Sequence, residues 1–266
     1  MLKIPALLST VTLLIAGLVA GNLTTANAAE QSRLNKILSA GELRIGTTGD
    51  WNPMTVKNTA TGNYEGFDID IVTELANDMG VEAKFVPTDW KTLINGIVAN
   101  KYDVTTSASL NPKRMAVAGY TDSYYNVGTV PLTLRKHLAK FNSWNDINNS
   151  DVTVATTLGT VQEQQAKEYF PKATLKSVEA PARDFQEVLS GRAMVHITSN
   201  VEAATLVKKY EQMAIVPVQE ARSPTPLAML VAQDDQVWIN YLNHWIELKK
   251  TQGFFKQLAK KWDLAD

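Results

Sequence analysis

Residues 66–79 read Gly66-Phe67-Asp68-Ile69-Asp70-Ile71-Val72-Thr73-Glu74-Leu75-Ala76-Asn77-Asp78-Met79 and decide the fold. A turn-forming glycine opens the stretch, two acids alternate with apolar residues, and the apolar residues then recur at helical spacing. The stretch predicts a helix with one buried face. Shortly before it stands Asp50-Trp51-Asn52-Pro53, which follows a strand-like segment.

Strand and helix patterns alternate around this helix. In the first half, strands are predicted at 43–47, 81–86 and 102–105, with a helix at 90–99. The pattern then restarts, with strands predicted at 151–155, 173–178 and 193–197, and helices at 160–170, 185–189 and 201–210. Such alternation is typical of a sheet covered by helices, so two α/β units are expected.

Two extended segments connect the units, at 127–134 and 224–231. The chain would therefore cross twice, and the last helices, with Trp238, Leu242, Trp245 and Leu248 at core spacing, would return to the first unit. We predict two lobes, formed by 29–129 with 225–266 and by 130–224, joined by a hinge above a cleft. A single domain is the alternative.

The first residues resemble a secretory signal peptide. Lys3 precedes an apolar run that extends to Ala20, and Ala26-Asn27-Ala28 matches a cleavage site. We therefore expect residues 1–28 to be removed and the protein to be periplasmic. An uncleaved membrane anchor is the alternative, although the run is shorter than the roughly 20 residues that span a bilayer.

Composition excludes several classes of function. The chain has 266 residues, a formal net charge of −1 and no cysteine. No global field attracts nucleic acid, and neither disulfides nor thiol catalysis are available. The three histidines lack metal-ligand spacing, and no phosphate-binding loop is present, so we expect no metal and no cofactor.

The signature helix and the preceding Asp50-Trp51-Asn52-Pro53 resemble those of the family 3 extracellular solute-binding proteins. The likeness is greatest to the cyclohexadienyl dehydratase-like branch, on Thr47-Thr48-Gly49-Asp50, Gly66-Phe67-Asp68, Val86-Pro87-Thr88 and Pro131 with Thr133-Leu134. The resemblance implies the two-lobed α/β fold of type II periplasmic binding proteins, with two hinge crossings. It also implies a small carboxylate ligand and delivery to the membrane subunits of an ABC transporter by a monomeric receptor.

A run of hydroxyl side chains followed by an arginine is the sharpest chemical feature. Thr106, Ser107 and Ser109 come after a predicted strand, and Arg114 stands just inside the next helix. Hydroxyl donors and a bidentate guanidinium suit a carboxylate. The run resembles the carboxylate-binding loop of the family, which implies a salt bridge from Arg114 to the ligand.

Further ligand contacts are expected from both units. Trp51 and Trp90 would form two apolar walls around the ligand, and in the family an aromatic at the Trp51 position stacks on it. In the second unit, Thr160, Val161 and Gln162 open a helix whose backbone N–H groups attract anions.

Ser199 departs from the family pattern. Amino-acid receptors usually carry an aspartate at this position, where it binds the α-ammonium group of the ligand. Serine has no charge, and loss of a charge-assisted partner costs a few kcal/mol in a closed cleft. The sequence therefore favours a carboxylate without an α-ammonium group, such as a keto acid or a dicarboxylic acid, and an amino-acid-like ligand is the alternative.

Three functions remain open. A solute receptor is expected; a prephenate or arogenate dehydratase is the runner-up, and a ligand-sensing interaction module is the third. The resemblance implies that a dehydratase uses a glutamate at the start of the second-lobe helix as its general acid. Alignment without a gap assigns Glu163 to that role, whereas alignment on Gly159-Thr160 assigns Gln162, which leaves no acid. An acid in the first turn is also common in ordinary helices.

Overall fold

The computed structural model describes residues 32–264. The predicted signal peptide, residues 1–28, lies outside them. Ten α-helices are described: α1 (Arg33–Ala40), α2 (Phe67–Met79), α3 (Leu93–Val98), α4 (Pro112–Met115), α5 (Trp144–Ile147), α6 (Val161–Tyr169), α7 (Asp184–Leu189), α8 (Asn200–Lys209), α9 (Gln236–Thr251) and α10 (Phe254–Lys261). A 3₁₀ helix covers Arg135–Lys140. None of the described helices is both long and apolar enough to cross a bilayer.

Two groups of strands belong to the first half of the chain. A parallel sheet has the order β5 (Glu82–Pro87), β1 (Glu42–Thr47) and β6 (Val104–Thr105). An antiparallel meander contains β2 (Asp50–Trp51), β3 (Thr55–Lys57) and β4 (Tyr64–Glu65). The meander delivers Trp51 to the end of β1, because β2 begins three residues after that strand.

The signature helix α2 packs as the sequence predicts. Phe67, Ile71, Val72 and Leu75 are buried in the same cluster as Ile45 of the parallel sheet. Gly66 precedes α2 with a φ of 136°, and a Cβ there would lie 2.4 Å from the carbonyl oxygen of Met54. Gly66 is therefore required by both backbone conformation and space.

The C-terminal helices α9 and α10 return to the first half, as expected. Trp238, Leu242 and Trp245 are buried in the cluster around α2. Leu248, which spacing also assigned to the core, is 52% exposed, and Ile246 and Lys249 are buried in its vicinity instead. Lys249 remains charged there because it forms salt bridges with Glu74 and Asp78 of α2.

Two long strands connect the halves. They are β9 (Tyr125–Leu134) and β14 (Arg222–Val231), which pair antiparallel with a register shift between Arg222 and Thr225. Each of these strands also pairs with strands of one half. Strand β9 pairs with β12 (Val195–Ser199) and β13 (Met213–Ile215), whereas β14 pairs with β7 (Ser107–Ser109) and β8 (Gly119–Tyr120). The predicted lobe boundaries at 129/130 and 224/225 fall within these strands, and the division itself stays a prediction.

The second half repeats the parallel arrangement. Strand β10 (Thr153–Thr157) pairs in parallel with β11 (Thr174–Val178) on one side and with β12 on the other. Helices α6, α7 and α8 pack against these strands. Because the carboxyl ends of parallel strands share one edge of a sheet, the loops after β10 and β12 lie together at the mouth of this half, where ligands bind in open α/β sheets.

Candidate functional site

A cavity lies between the two halves. The first half contributes Asp50, Trp51, Trp90, Ser109 and Arg114 to its lining. The second half contributes Thr157, Thr160, Val161, Gln162, Arg183, Asp184, Ile197, Thr198 and Glu202. The lining therefore combines two aromatic rings, two guanidinium groups and three carboxyl groups.

Arg114 is the best-defined cation of this cavity. It is only 5% exposed, yet among residues 32–264 it forms no salt bridge with an acidic side chain. Its guanidinium donates to the carbonyl oxygens of Ser109 at 3.3 Å and of Gly159 at 3.1 Å. A buried cation is costly unless a charge of opposite sign accompanies it, so the site suits an anion.

Local sequence explains how Arg114 reaches the cavity. Strand β7 ends at Ser109, and Asn111 then caps α4 by accepting a hydrogen bond from the N–H of Lys113 at 2.9 Å. Pro112 occupies the first position of the helix, where its missing N–H is not needed. The cap and the proline stop the strand and start the helix within three residues, and this turn directs Arg114 back over the end of β7.

Trp51 and Trp90 both line the cavity, but they do not enclose it as two parallel walls. Their ring centroids lie 5.8 Å apart with an interplanar angle of 76°, so the rings meet edge to face. The indole N–H of Trp51 donates to Ser199 at 3.1 Å, and that of Trp90 donates to Asp50 at 3.0 Å. Each ring is therefore held in a fixed orientation and offers the cavity one apolar surface.

Several contacts join the two halves around the cavity. Besides the bonds from Trp51 to Ser199 and from Arg114 to Gly159, Asn111 donates to Gln164 at 2.9 Å and Lys91 pairs with Glu179 at 2.8 Å. The structure is thus a closed arrangement.

Gly159 is the closest backbone approach among these contacts. Its φ is +83°, and a Cβ at this position would lie 2.8 Å from the Lys91 Cα and 3.0 Å from the Trp90 carbonyl carbon. Backbone atoms cannot yield as a flexible side chain can. Only glycine therefore permits both this conformation and this distance.

The residues at the start of α6 line the cavity as the sequence predicts, except for Glu163. Thr160 caps the helix by accepting from the N–H of Glu163 at 3.2 Å, and Thr160, Val161 and Gln162 line the cavity. Glu163 does not line it. Its carboxylate accepts from the Gly159 N–H at 2.9 Å and from Lys167 at 2.7 Å.

The electrostatics of Glu163 disfavour a role as proton donor. Burial opposes its ionisation, but the hydrogen bonds from Lys167, Gly159 and Ser177 outweigh that effect and lower its pKa. A carboxyl with a lowered pKa is ionised at neutral pH. Of the two alternatives from the sequence, Gln162 is the residue that lines the cavity. Its amide does not ionise, so it cannot act as a general acid.

Three other predicted ligand residues lie outside the lining. Ser107 donates its hydroxyl to Asp68 at 2.6 Å and its N–H to the same oxygen at 3.1 Å. The hydroxyl of Thr106 lies 3.4 Å from that of Thr47, and Ser199 caps α8 and accepts from Trp51. All three are buried, and their hydroxyls serve the framework around the cavity.

Glu202 is a candidate functional group that sequence reasoning missed. It stands in the first turn of α8, is 6% exposed and lines the cavity. Arg183 donates to it at 3.0 Å, and Thr198 donates a short hydrogen bond. The family resemblance pointed to Glu163, whereas Glu202 stands in the first turn of α8, after β12, where the resemblance implied no acid.

The pKa of Glu202 is raised to about 7. Burial is the largest cause, Asp184 and Asp50 add repulsion, and Arg183 and Thr198 oppose the shift. Asp184 accepts from the N–H of Phe185 at 2.9 Å and lies 3.4 Å from the buried His196. No sequence signal marked Arg183 or Asp184, which are the N-cap and the first residue of α7.

Comparisons with known proteins agree with this fold. A model of the bacterial extracellular solute-binding proteins, family 3, matches residues 43–265. Cyclohexadienyl dehydratase of Pseudomonas aeruginosa is 28% identical over 235 residues, which cover 88% of this chain and 87% of the relative.

Two solved structures extend the comparison. An ancestral amino acid-binding protein, a precursor of cyclohexadienyl dehydratase, is 35% identical with a TM-score of 0.81, and the match covers 87% of this chain and 99% of that one. A putative binding component of an ABC transporter from Wolinella succinogenes, complexed with lysine, is 29% identical with a TM-score of 0.78, covering 84% and 95%.

Replacing Gly159 by alanine is expected to hinder closure. The added Cβ meets the backbone of Lys91, so the halves must separate. Small-angle X-ray scattering should report a larger radius of gyration than for the unchanged protein. Gly191→Ala is the matched control, because Gly191 has a φ of +75° but nothing within 4 Å of its Cβ position. Equal scattering from both variants would contradict this account.

Replacing Glu202 by glutamine is expected to change how stability depends on pH. The pKa of about 7 in the folded state exceeds the ordinary glutamate value of 4.5, so the folded state binds the proton more readily and stability falls as pH rises through this window. Relative to the unchanged protein, the free energy of unfolding of Glu202→Gln should therefore rise by up to about 3 kcal/mol between pH 5 and pH 8. Urea unfolding at each pH measures this difference.

Glu163→Gln is the control of opposite sign. The pKa of Glu163 is lowered in the fold, so this variant should lose stability relative to the unchanged protein at pH 8. If the free energy of unfolding at pH 8 changed in the same direction in both variants, the opposite pKa shifts of Glu202 and Glu163 would be contradicted.

Proposed function

The chain belongs to the bacterial extracellular solute-binding proteins of family 3, and from that premise we propose that it is a receptor that closes on a small α-amino acid. It would deliver this ligand to the membrane subunits of an ABC importer. The predicted signal peptide supports export of such a receptor to the periplasm.

The buried guanidinium of Arg114 carries the proposal. It faces a cavity between two halves and has carbonyl oxygens but no carboxylate as partners among the described residues. An α-carboxylate supplies the missing negative charge and accepts a bidentate pair of hydrogen bonds. Thr160 and the first turn of α6 add the partial positive charge of a helix N-terminus on the other side.

The other charged groups of the cavity are suited to an ammonium group. Once Arg114 is assigned to the carboxylate, the remaining charged groups of the lining are Arg183 and three carboxyls, those of Asp50, Asp184 and Glu202. An excess of negative charge there favours a cation. The uncharged Ser199 argued against an α-ammonium group, but carboxyls from neighbouring positions compensate for its lack of charge.

Closure is coupled to binding because the two ends of the ligand contact different halves. The carboxylate would bind Arg114 of the first half, and the ammonium group would bind Glu202 of the second. Only the closed state offers both contacts, so the ligand shifts the equilibrium towards it. The relative complexed with lysine and the ancestral amino acid-binding protein support a ligand of this class.

Arg114→Met is expected to weaken amino-acid binding by roughly 30-fold to several thousand-fold, because truncating one partner of a buried charge pair costs about 2–5 kcal/mol. Titration calorimetry with the proteinogenic amino acids and their α-keto analogues measures this directly. Arg192→Met is a matched control, since Arg192 is exposed and pairs with Glu187 away from the cavity. Tighter binding of keto acids than of amino acids would argue against the ammonium contact.

A second candidate function is a cyclohexadienyl dehydratase, and Glu202 is the observation that favours it. A general acid must hold a proton near neutral pH, and burial gives Glu202 a pKa of about 7. The Pseudomonas aeruginosa relative is such an enzyme by name.

The chemistry of that reaction fits a single proton donor. In prephenate, Glu202 would protonate the leaving hydroxyl, the C–O bond would break to release water, and the ring carboxylate would leave as carbon dioxide. The electron pair of the broken C–C bond then completes the aromatic ring of phenylpyruvate. Arg114 would hold one of the two carboxylates and Arg183 could approach the other.

Incubation with prephenate separates the two functions. Formation of phenylpyruvate that is lost in Glu202→Gln but retained in Glu163→Gln would establish the enzyme. Amino-acid binding without any turnover of prephenate would establish the receptor. Turnover that depends on Glu163 instead would contradict the assignment of the acid to Glu202.

A further inference from the structure

His196 is a buried histidine that neither proposed function uses. It lies on β12 between Leu132 of β9 and Ala155 of β10, is 1% exposed and is not part of the cavity lining. Neither of its ring nitrogens forms a hydrogen bond with the residues that the structure describes. Because an unpartnered polar group is costly in the interior, the charged groups beside this ring decide what it can do.

Asp184 is the acid beside this ring. Its Oδ2 lies 3.4 Å from Nδ1 of His196, slightly beyond the usual length of an N–H···O hydrogen bond. Its other oxygen accepts from the N–H of Phe185 at 2.9 Å. Asp184 is 5% exposed and lines the cavity, so its carboxyl group connects the buried imidazole to the cavity.

The imidazole of His196 is neutral at neutral pH. Burial lowers the pKa of His196 below the ordinary value of 6.5, Asp184 opposes this shift and Arg183 adds to it. Among the described residues these two, at the start of α7, are the charged groups that act on the ring. A neutral imidazole carries one proton, on either nitrogen. Only a proton on Nδ1 can be donated to Asp184, so the geometry selects that tautomer.

Asp184 in turn acts on Glu202. Burial is the main cause that raises the pKa of Glu202 to about 7, and repulsion from Asp184 adds to it. Arg183 donates to Glu202 at 3.0 Å, so the acid beside His196 and the cation that pairs with Glu202 are consecutive residues. A movement of the Asp184 carboxylate therefore changes how readily Glu202 binds a proton.

We propose that His196 is a positioning residue, whose Nδ1–H donates to Asp184 and holds that carboxylate where it repels the charge of Glu202. The histidine touches no ligand and acts only through Asp184. The use of this arrangement rests on the proposed function, in which Glu202 binds an ammonium group or, in the second candidate, donates a proton. The arrangement itself needs no ligand and is measured on the protein alone.

The tautomer of His196 is the first test, and it uses the unchanged protein. NMR with isotope-labelled histidine reports which ring nitrogen carries the proton. The chain has three histidines, and loss of one set of signals in His196→Asn assigns the set of His196. We expect a neutral ring with the proton on Nδ1 at neutral pH. A proton on Nε2, or a charged ring at that pH, would overturn the proposal.

The titration of Glu202 is the second test. NMR of isotope-labelled glutamate carboxyl carbons follows it, Glu202→Gln assigns the signal, and the midpoint of the unchanged protein should lie at about pH 7. Asp184→Asn should lower this midpoint by roughly half a pH unit or more, because a like charge is removed. His196→Leu should lower it too, because Asp184 loses its donor. His196→Asn is the matched control and should preserve it, because its amide can donate from near the position of Nδ1.

A double variant decides whether the effect passes through Asp184. The midpoint of His196→Leu combined with Asp184→Asn should equal that of Asp184→Asn alone, because residues that share one interaction are not additive. Additive shifts would overturn the positioning role. So would a Glu202 midpoint that His196→Leu leaves unchanged, whether or not Asp184→Asn lowers it.

The positioning role and the proposed function can fail separately. If His196→Leu leaves the Glu202 midpoint unchanged while calorimetry shows amino-acid binding that depends on Arg114, the positioning role is overturned and the receptor stands. If the midpoints follow the prediction but Glu202→Gln alters neither amino-acid binding nor prephenate turnover, the positioning role is supported and the proposed use of Glu202 is overturned.

Discussion

The organisation of the molecule depends on one unbalanced charge, the guanidinium of Arg114. It is buried at the end of β7, held by two carbonyl oxygens, and has no acidic side chain beside it among the described residues. A buried charge without a partner of opposite sign is costly, so this site favours an anion. Its neighbours follow from this constraint, because the cap of α4 directs the side chain inward and Gly159 allows the second half to approach it.

Two glutamates in equivalent positions have opposite pKa shifts because their surroundings differ. Glu163 and Glu202 both stand in the first turn of a helix that follows a parallel strand. Lys167, Ser177 and a backbone N–H lower the pKa of the first, whereas burial beside Asp184 and Asp50 raises the pKa of the second to about 7. Glu202 therefore has a different use in each proposed function: ionised, it binds an ammonium group, and protonated, it can act as an acid.

The cavity is formed by the joining of the halves. The cavity takes residues from both halves, and the Arg183–Glu202 pair belongs to its lining from the second half. Strands β9 and β14 hold the halves together through an antiparallel pairing that is interrupted near Arg222. A hinge of this kind can separate the walls without disturbing either core, since the buried clusters of the two halves are largely distinct.

The sequence by itself determined the alternation of strands and helices, the two crossings, the family and the residues Trp51, Ser109 and Arg114 at the cavity. These depend on local periodicity and on short motifs, which the chain carries in continuous stretches. Only the tertiary structure decided that Ser107 binds Asp68, that Leu248 is exposed, that Gln162 rather than Glu163 lines the cavity, and that Arg183, Asp184 and Glu202 line the same cavity as Arg114. Those outcomes depend on which side of an element packs and on distances between residues far apart in the chain, and neither is encoded in a local pattern.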